Sequence, residues 1–366
     1  MKKSVITLAL VLVVALLTGC AGTPVVYYSD CTCPTGAHTE ATPVETTTPV
    51  ETTAPAEGPV VEGAVKTGVA IVASAGESKS AGDADGEAKY DASVVAVTVD
   101  DNGVIQSCII DSIGTSVLFD VNGAIMSDLT APIQTKNELG DAYNMKTYGG
   151  AVAEWYEQAA ALASYACGKT VEELRAGAVD ETGHAVDADL ATTATIYLGG
   201  YVAAVEKAVA NAQHLGAQAG DELKLAIISS VDGSTPADAE NAGLAQLYTN
   251  VAAVTVNGDV ITSCYIDAIQ AKVNFDATGT ITTDLTAPML TKNELGDAYN
   301  MKTYGGAIAE WYEQAASFAS YITGKTPAEV AGIAVDETTK PTDADLLTSV
   351  TIKIGEFQNL IAKACG

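Results

Sequence analysis

The chain has 366 residues, of which 48% are apolar, 17% charged and 6% aromatic. That is enough apolar matter for cores built mainly of Ala, Val, Leu and Ile, it excludes wholesale disorder, and the length suggests two domains. A formal net charge of −28 repels nucleic acid and anionic lipid alike, so nucleic acid is not an expected partner and the acidity reads as the solubility of an exposed protein.

Lys2 and Lys3 open the chain, and residues 5–17 form an almost unbroken apolar run. The run is short for a bilayer span and fits the core of a secretory signal. Leu17-Thr18-Gly19-Cys20 follows at once. This order resembles the lipobox of bacterial lipoproteins. The resemblance implies cleavage after Gly19, lipidation of Cys20, and a protein anchored by lipid to the cell membrane on its extracytoplasmic side. Cys31 and Cys33 are separated by one residue and have no zinc partner nearby, so they read as incidental. From residue 34 to 62 the composition turns to Pro, Thr and Glu, with Pro43-Val44-Glu45-Thr46-Thr47 recurring at Pro49-Val50-Glu51-Thr52-Thr53. Such a segment cannot form a core and reads as a semi-extended spacer.

Residues 135–151 read TKNELGDAYNMKTYGGA, and residues 291–307 repeat all seventeen. Glu154-Trp155-Tyr156-Glu157-Gln158 returns as Glu310-Trp311-Tyr312-Glu313-Gln314, and Ala96-Val97-Thr98-Val99 as Ala253-Val254-Thr255-Val256. The change in offset places a one-residue deletion in the turn that follows, where it costs least. A period this long means two whole domains rather than a solenoid. The chain therefore divides into a signal peptide over 1–19, a lipid-anchored spacer over 20–63, and repeat domains over 64–213 and 214–366.

Within one repeat, residues 94–99 alternate and are rich in Val, which predicts a strand; Asn102-Gly103 turns the chain into a second strand over 104–110. Residues 116–119 suggest a further strand, Asn122-Gly123 a turn, 128–132 an irregular segment, and 138–144 a short helical or irregular element. Residues 154–167 predict a helix, with Trp155, Leu162, Tyr165 and Ala166 at roughly helical spacing and Gly168 at the stop. Thr170 and Glu173 fit a capping box for a short helix. Leu198, Val202, Val205 and Val209 mark a last helix. The expected class is α+β: two tandem copies of one domain, with antiparallel hairpin strands packed against helices.

Catalytic residue types are scarce. His38, His184 and His214 have no counterparts in the other repeat, and no zinc-protease, paired CxxC or phosphate-loop pattern occurs. Cys108 and Cys264 correspond and read as small buried hydrophobes, with a bridge to Cys167 or Cys365 as the alternative. The acid pairs Glu138/Asp141 and Glu154/Glu157, repeated as Glu294/Asp297 and Glu310/Glu313, read as solvated helix faces.

Each repeat closes on a related phrase, Asp189-Leu190-Ala191-Thr192-Thr193-Ala194-Thr195 and Asp345-Leu346-Leu347-Thr348-Ser349-Val350-Thr351. This resembles the motif of the extracytoplasmic FMN-binding domain family: Asp, two variable residues, Ser or Thr, Gly, Ala, then Thr or Ser before a C-terminal helix. The resemblance implies FMN, covalent or non-covalent, with Thr195 and Thr351 as attachment sites and Asp189 and Asp345 in the recognition motif. It also implies a flavin transferase and a membrane electron donor as partners. A hydroxyl near a helix start suits a phosphate, and Trp155 and Trp311, with Tyr148, Tyr156, Tyr304 and Tyr312, are candidates to line a ring slot. The sequence departs from the family at Thr193 and Ser349, where Gly is usual, and at Val350, where Ala is usual. Two functions follow: a flavin-bearing electron-transfer lipoprotein at the cell envelope, or a cofactor-free surface lipoprotein acting as a ligand-binding or structural module. The first is an electron carrier and the second a binding protein, and the acid pairs do not argue for a hydrolase.

Overall fold

The computed structural model describes residues 63–366. The leader, Cys20, Cys31, Cys33 and the spacer repeats lie outside the described residues. In the first half, β1 (Lys66–Ser74), β2 (Gly86–Val99) and β3 (Ile105–Phe119) precede α1 (Lys136–Leu139), α2 (Met145–Gly149), α3 (Trp155–Ala166), α4 (Val171–Ala178), α5 (Ala188–Thr193) and α6 (Gly199–Ala210). In the second half, β4 (Glu222–Ser230), β5 (Gly243–Asn257) and β6 (Val260–Phe275) precede α7 (Lys292–Leu295), α8 (Met301–Gly305), α9 (Trp311–Ile322), α10 (Pro327–Ala331), α11 (Ala344–Leu347) and α12 (Gly355–Cys365). Each set of strands makes one antiparallel three-stranded sheet with the middle strand second in sequence. The molecule is thus α+β, two such sheets packed with helices.

Local chemistry accounts for the turns. After β2 the Asp100 carboxylate accepts from the backbone N–H groups of Asn102 and Val104, each at 2.9 Å, and Gly103 adopts φ 78°. The second half turns in fewer residues through Gly258 at φ 58°. The missing residue therefore sits in this hairpin. A register shift precedes the turn in both halves, between Thr98 and Val99 and between Thr255 and Val256, as a bulge does.

One expectation about the strands needs correction. Residues 116–119 are not a separate strand but the end of β3, whose ladder with β2 runs on to the Gly86–Phe119 pair. Asp111, Ser112 and Gly114 interrupt the apolar run, but Asp111 is only 7% exposed and its carboxylate accepts from the N–H groups of Ser112 and of the distant Asn137. The 94–99 run is a strand as expected, the end of β2, and every residue from Val94 to Val99 is buried. The reason is that each sheet is covered on both faces.

One face of each sheet meets the other sheet. Val69, Ile71, Tyr90, Val94, Ile113 and Phe119 share a core with Leu247, Val251, Ile269 and Phe275. The opposite face of the first sheet, with Ala70, Val95, Val97, Ile105 and Ile110, packs on Trp155, Leu162, Leu198 and Val205. The second sheet does the same with Trp311, Phe318, Phe357 and Leu360. The layers run helices, sheet, sheet, helices. Burying one such aliphatic or aromatic side chain stabilises by about 1.5–3 kcal/mol.

The joint between the halves is reciprocal. Phe119 and Phe275 stack with centroids 4.0 Å apart and planes 5° apart. Ala81 N–H donates to the Gly279 carbonyl and Ala237 N–H to the Gly123 carbonyl, both at 2.8 Å. Lys207 pairs with Glu294 at 2.7 Å, and Lys363 pairs with Glu138. Gly123 and Gly279 must be glycine twice over: φ is 73° and 68°, and a Cβ would lie 2.7 Å and 2.6 Å from the Cβ atoms of Ala237 and Ala81. The connection between halves folds back on β1, where Thr67 and Gln213 exchange backbone hydrogen bonds and Val65 N–H reaches the Ala217 carbonyl. This covers the edge that β1 would otherwise expose.

Candidate functional site

Gln158 and Gln314 organise the region around the motif threonines. Both side chains are 0% exposed on α3 and α9. Gln158 Nε2 donates to the Ala153 carbonyl at 2.8 Å, which fixes the amide so that Oε1 faces the loop between α5 and α6. That oxygen accepts from Thr195 N–H at 2.7 Å, Ile196 N–H at 3.1 Å and the Thr195 hydroxyl at 3.4 Å. Gln314 treats Thr351 and Ile352 alike, at 2.8, 3.2 and 3.3 Å. The start of α6 is also occupied: Leu198 N–H and Gly199 N–H both donate to the Gly183 carbonyl, at 2.7 and 3.1 Å. In the second half Ile354 N–H donates to the Thr339 carbonyl at 2.8 Å.

Asp189 and Asp345 are exposed first-turn residues of α5 and α11. What the fold uses there is their backbone: the Thr192 and Thr348 hydroxyls donate to their carbonyls at 2.7 Å. The aspartates that cap these helices are Asp187 and Asp343, each accepting from two backbone N–H groups at about 3 Å.

Trp155 and Trp311 are core residues, 2% and 4% exposed. Tyr201 lies edge-on to Trp155, with its hydroxyl 3.2 Å from the indole Nε1; Phe357 takes the corresponding place beside Trp311. The other ring neighbour is a lysine. Lys136 Nζ stands 5.1 Å over Trp155 and 5.3 Å over Tyr143. Lys292 Nζ stands 4.8 Å over Trp311, 5.0 Å over Tyr299 and 4.6 Å over Tyr248, and donates to the Tyr248 hydroxyl at 2.8 Å. A cation over aromatic faces is attracted by their quadrupoles. Burial pulls Lys292 down to about 8, against the opposing charge of Asp267.

These residues do not fit FMN as arranged. A phosphate on Thr195 or Thr351 needs free N–H groups, and those of the loop already donate to Gln158 and Gln314. A ring slot needs an open indole face, and both indoles are packed. A shallow depression of about 480 Å³ in the second half is lined by Tyr321, Lys325, Glu329, Thr342 and Asp343 among others, a polar wall rather than an aromatic one.

No family model, curated protein or solved structure matches this chain. Among the described residues, no helix is long and apolar enough to cross a membrane, and no group of three or more His, Cys, Asp or Glu could hold a metal ion.

The acid pairs are only partly solvated: Asp141, Asp297 and Glu157 are exposed, as expected, but the glutamates that open α3 and α9 are not. Glu154 is 4% and Glu310 2% exposed. Glu154 accepts from Met145 and Lys146 N–H groups at 2.7 and 3.1 Å, while Glu157 accepts from Glu154 N–H at 2.7 Å. Glu138 and Glu294 complete capping boxes with Thr135 and Thr291. They tie the segment between sheet and helix in place. Cys108 and Cys264 are buried free thiols, so neither bridges to Cys167 or Cys365, and burial pushes the Cys108 thiol up to about 12. His184 is exposed, edge-on to Tyr197.

Sequence reasoning missed the buried carboxylates Asp111 and Asp267. Asp111 accepts from Ser112 N–H at 2.7 Å and Asn137 N–H at 3.0 Å; Asp267 accepts from Ala268 and Asn293 N–H at 2.7 and 3.1 Å. Burial raises each to about 6, although these donors and the Thr135 or Thr291 hydroxyl favour the charged form. Gln158, Lys136 and Asp187 were missed as well. Their signal was that each is kept in both repeats.

Proposed function

We propose that this chain is a lipid-anchored extracytoplasmic protein whose two tandem copies of one domain form a binding module that works without flavin. The observation that carries this reading is the Gln158 and Gln314 amide, which takes up the N–H groups and hydroxyl that a Thr-linked FMN would require. Tight aromatic packing around Trp155 and Trp311 supports it. The signal-like leader, the Cys20 box and the spacer support export and anchoring, with the lipid as the membrane contact. The net charge of −28 argues against nucleic acid as a partner.

The second reading is an FMN-bearing electron-transfer lipoprotein served by a flavin transferase and a membrane electron donor. What favours it is that Thr195 and Thr351 recur at matched positions, with Thr195 exposed. One experiment separates the two. The full-length chain is expressed in an exporting host that also makes a flavin transferase, and its visible spectrum and intact mass are recorded. A colourless protein without added FMN mass, which also fails to take up free FMN, is the expected result. Flavin absorbance with one or two FMN masses, lost on Thr195→Ala and Thr351→Ala, would establish the electron carrier instead. Cys20→Ala is expected to release the chain from the membrane fraction.

A further inference from the structure

The two halves are not equally filled at one corner of the helix layer. In the second half the helix-facing side of β5 carries Tyr248, opposite Ser230 and Gln270, and Asn250, opposite Ile228. The Tyr248 hydroxyl accepts from Lys292 Nζ at 2.8 Å, and its ring centre lies 4.6 Å from that ammonium. Asn250 reaches Glu356, in the first turn of α12, at 3.3 Å. Lys292 is sealed beneath them, only 5% exposed.

In the first half these four positions carry smaller residues. The register puts Asp91 in the place of Tyr248, Gly114 in that of Gln270 and Ser93 in that of Asn250, and Gly200 of α6 takes the place of Glu356. Lys136 and Tyr143 remain, with Nζ 5.3 Å from the ring centre. The corner is open: Val72, Asp91, Gly114 and Gly200 are exposed and Lys136 is half-buried, whereas Ile228, the counterpart of Val72, packs on the core of its half. Among the described residues no hydrogen bond or ion pair engages the Lys136 ammonium or the Asp91 carboxylate; Lys89, two residues before Asp91, is held by Glu77. Asp91 does reach this corner, because burial and then its charge hold the Tyr143 phenol above its ordinary value.

The second half thus shows what the first lacks: a phenol ring whose hydroxyl takes up the ammonium. We propose that the corner bounded by Lys136, Tyr143, Asp91 and Gly114 binds a small phenol bearing an alkylammonium group para to its hydroxyl, an inference that rests on the flavin-free binding-module reading. The ligand hydroxyl takes the place of the Tyr248 hydroxyl and accepts from Lys136. Its ring lies beside the Lys136 ammonium and the Tyr143 ring, as cations and aromatic edges favour. The para carbon points back along the line by which Tyr248 joins its strand. That brings the substituent to Asp91, where a carboxylate selects a cation through a charge-assisted hydrogen bond.

The test titrates the full-length chain in detergent with tyramine, p-cresol and phenethylamine, by ligand-observed NMR with thermal melts alongside. Salt at about 0.15 M screens the net acidity of the chain. Tyramine is expected to saturate one site at about 1 mM or tighter, as suits a ligand of its size. It should bind about tenfold more tightly than p-cresol, which lacks the ammonium, or phenethylamine, which lacks the hydroxyl. Asp91→Asn should bring tyramine down to the level of p-cresol and leave p-cresol unchanged. Asp91→Tyr, which copies the second half, should remove both while melting no lower than wild type. Tyr248→Ala should open the same seat in the second half, where p-cresol restores part of the lost melting temperature. Absence of saturation by tyramine, equal binding of all three compounds, or binding that survives Asp91→Tyr overturns the proposal. The visible spectrum of the same preparations shows separately whether the flavin-free reading has failed.

Discussion

Removing the Gln158 amide tests how the motif loop is held. Gln158→Ala strips the acceptor from Thr195 and Ile196 N–H and the donor from the Ala153 carbonyl, contacts of 2.7, 3.1 and 2.8 Å. A buried group left unpaired costs about 1–3 kcal/mol. Thr195 is exposed, so water recovers part of that on the loop side, while the Ala153 carbonyl faces the vacated amide. The expected loss is about 2–4 kcal/mol, within the range for breaking a buried network. Gln158→Met, close in volume but without either function, separates lost hydrogen bonds from lost packing and should cost nearly as much. Urea unfolding gives the free energies, and hydrogen exchange across 194–197 should accelerate in both variants. If both unfold within about 1 kcal/mol of wild type with exchange unchanged, the loop is held by something else and the argument against a phosphate at Thr195 falls with it.

Two further outcomes follow from the buried groups. Asp111 rises to about 6 through burial, above an unfolded value of about 3.9, so the folded state holds the proton more tightly; stability is present in full below about pH 4 and is lost as pH climbs through 6. Two pH units correspond to about 3 kcal/mol, so Asp111→Asn should gain roughly that on wild type between pH 4 and pH 7, and parallel pH curves would refute this. Phe119→Ala removes one ring of the central stack and should cost about 3–5 kcal/mol while both halves still unfold in one transition, followed by tryptophan fluorescence of variants keeping only Trp155 or Trp311; two separate transitions would show that the shared core does not couple them.

Much of the helical layer could be read directly. The α3 helix carries its own period and stop, and the Thr170 and Glu173 capping box forms as spaced, each side chain meeting the other's backbone. The strands were harder. Val94 to Val97 are all buried, so no polar face marks the period, and β1, with Gly68 and Ala70 among its residues, was not recognised. Asp111 looked like a strand end because the N–H groups that satisfy it come partly from Asn137, remote in sequence. The site was less legible still. Gln158 meets Thr195 and Lys136 meets Trp155 across different elements, and no local pattern encodes such a meeting. A motif fixes the order of residues, but whether a backbone N–H is free for a ligand depends on what the fold brings opposite it.

The joint between the sheets has one more implication. Its contacts come in exchanged pairs, Ala81 to Gly279 with Ala237 to Gly123, and Lys207 to Glu294 with Lys363 to Glu138, while Phe119 meets Phe275 at the centre. That is the pattern of an isologous interface, in which one surface complements itself about a two-fold axis. A joint of this kind is the one that two copies of a single chain would make with each other. Because both halves lie in one chain, their association is intramolecular and does not depend on concentration. One chain also lets the halves differ: Tyr248 faces Lys292 in the second, where the register of the first sets Asp91 opposite Ser74 as Tyr248 stands opposite Ser230.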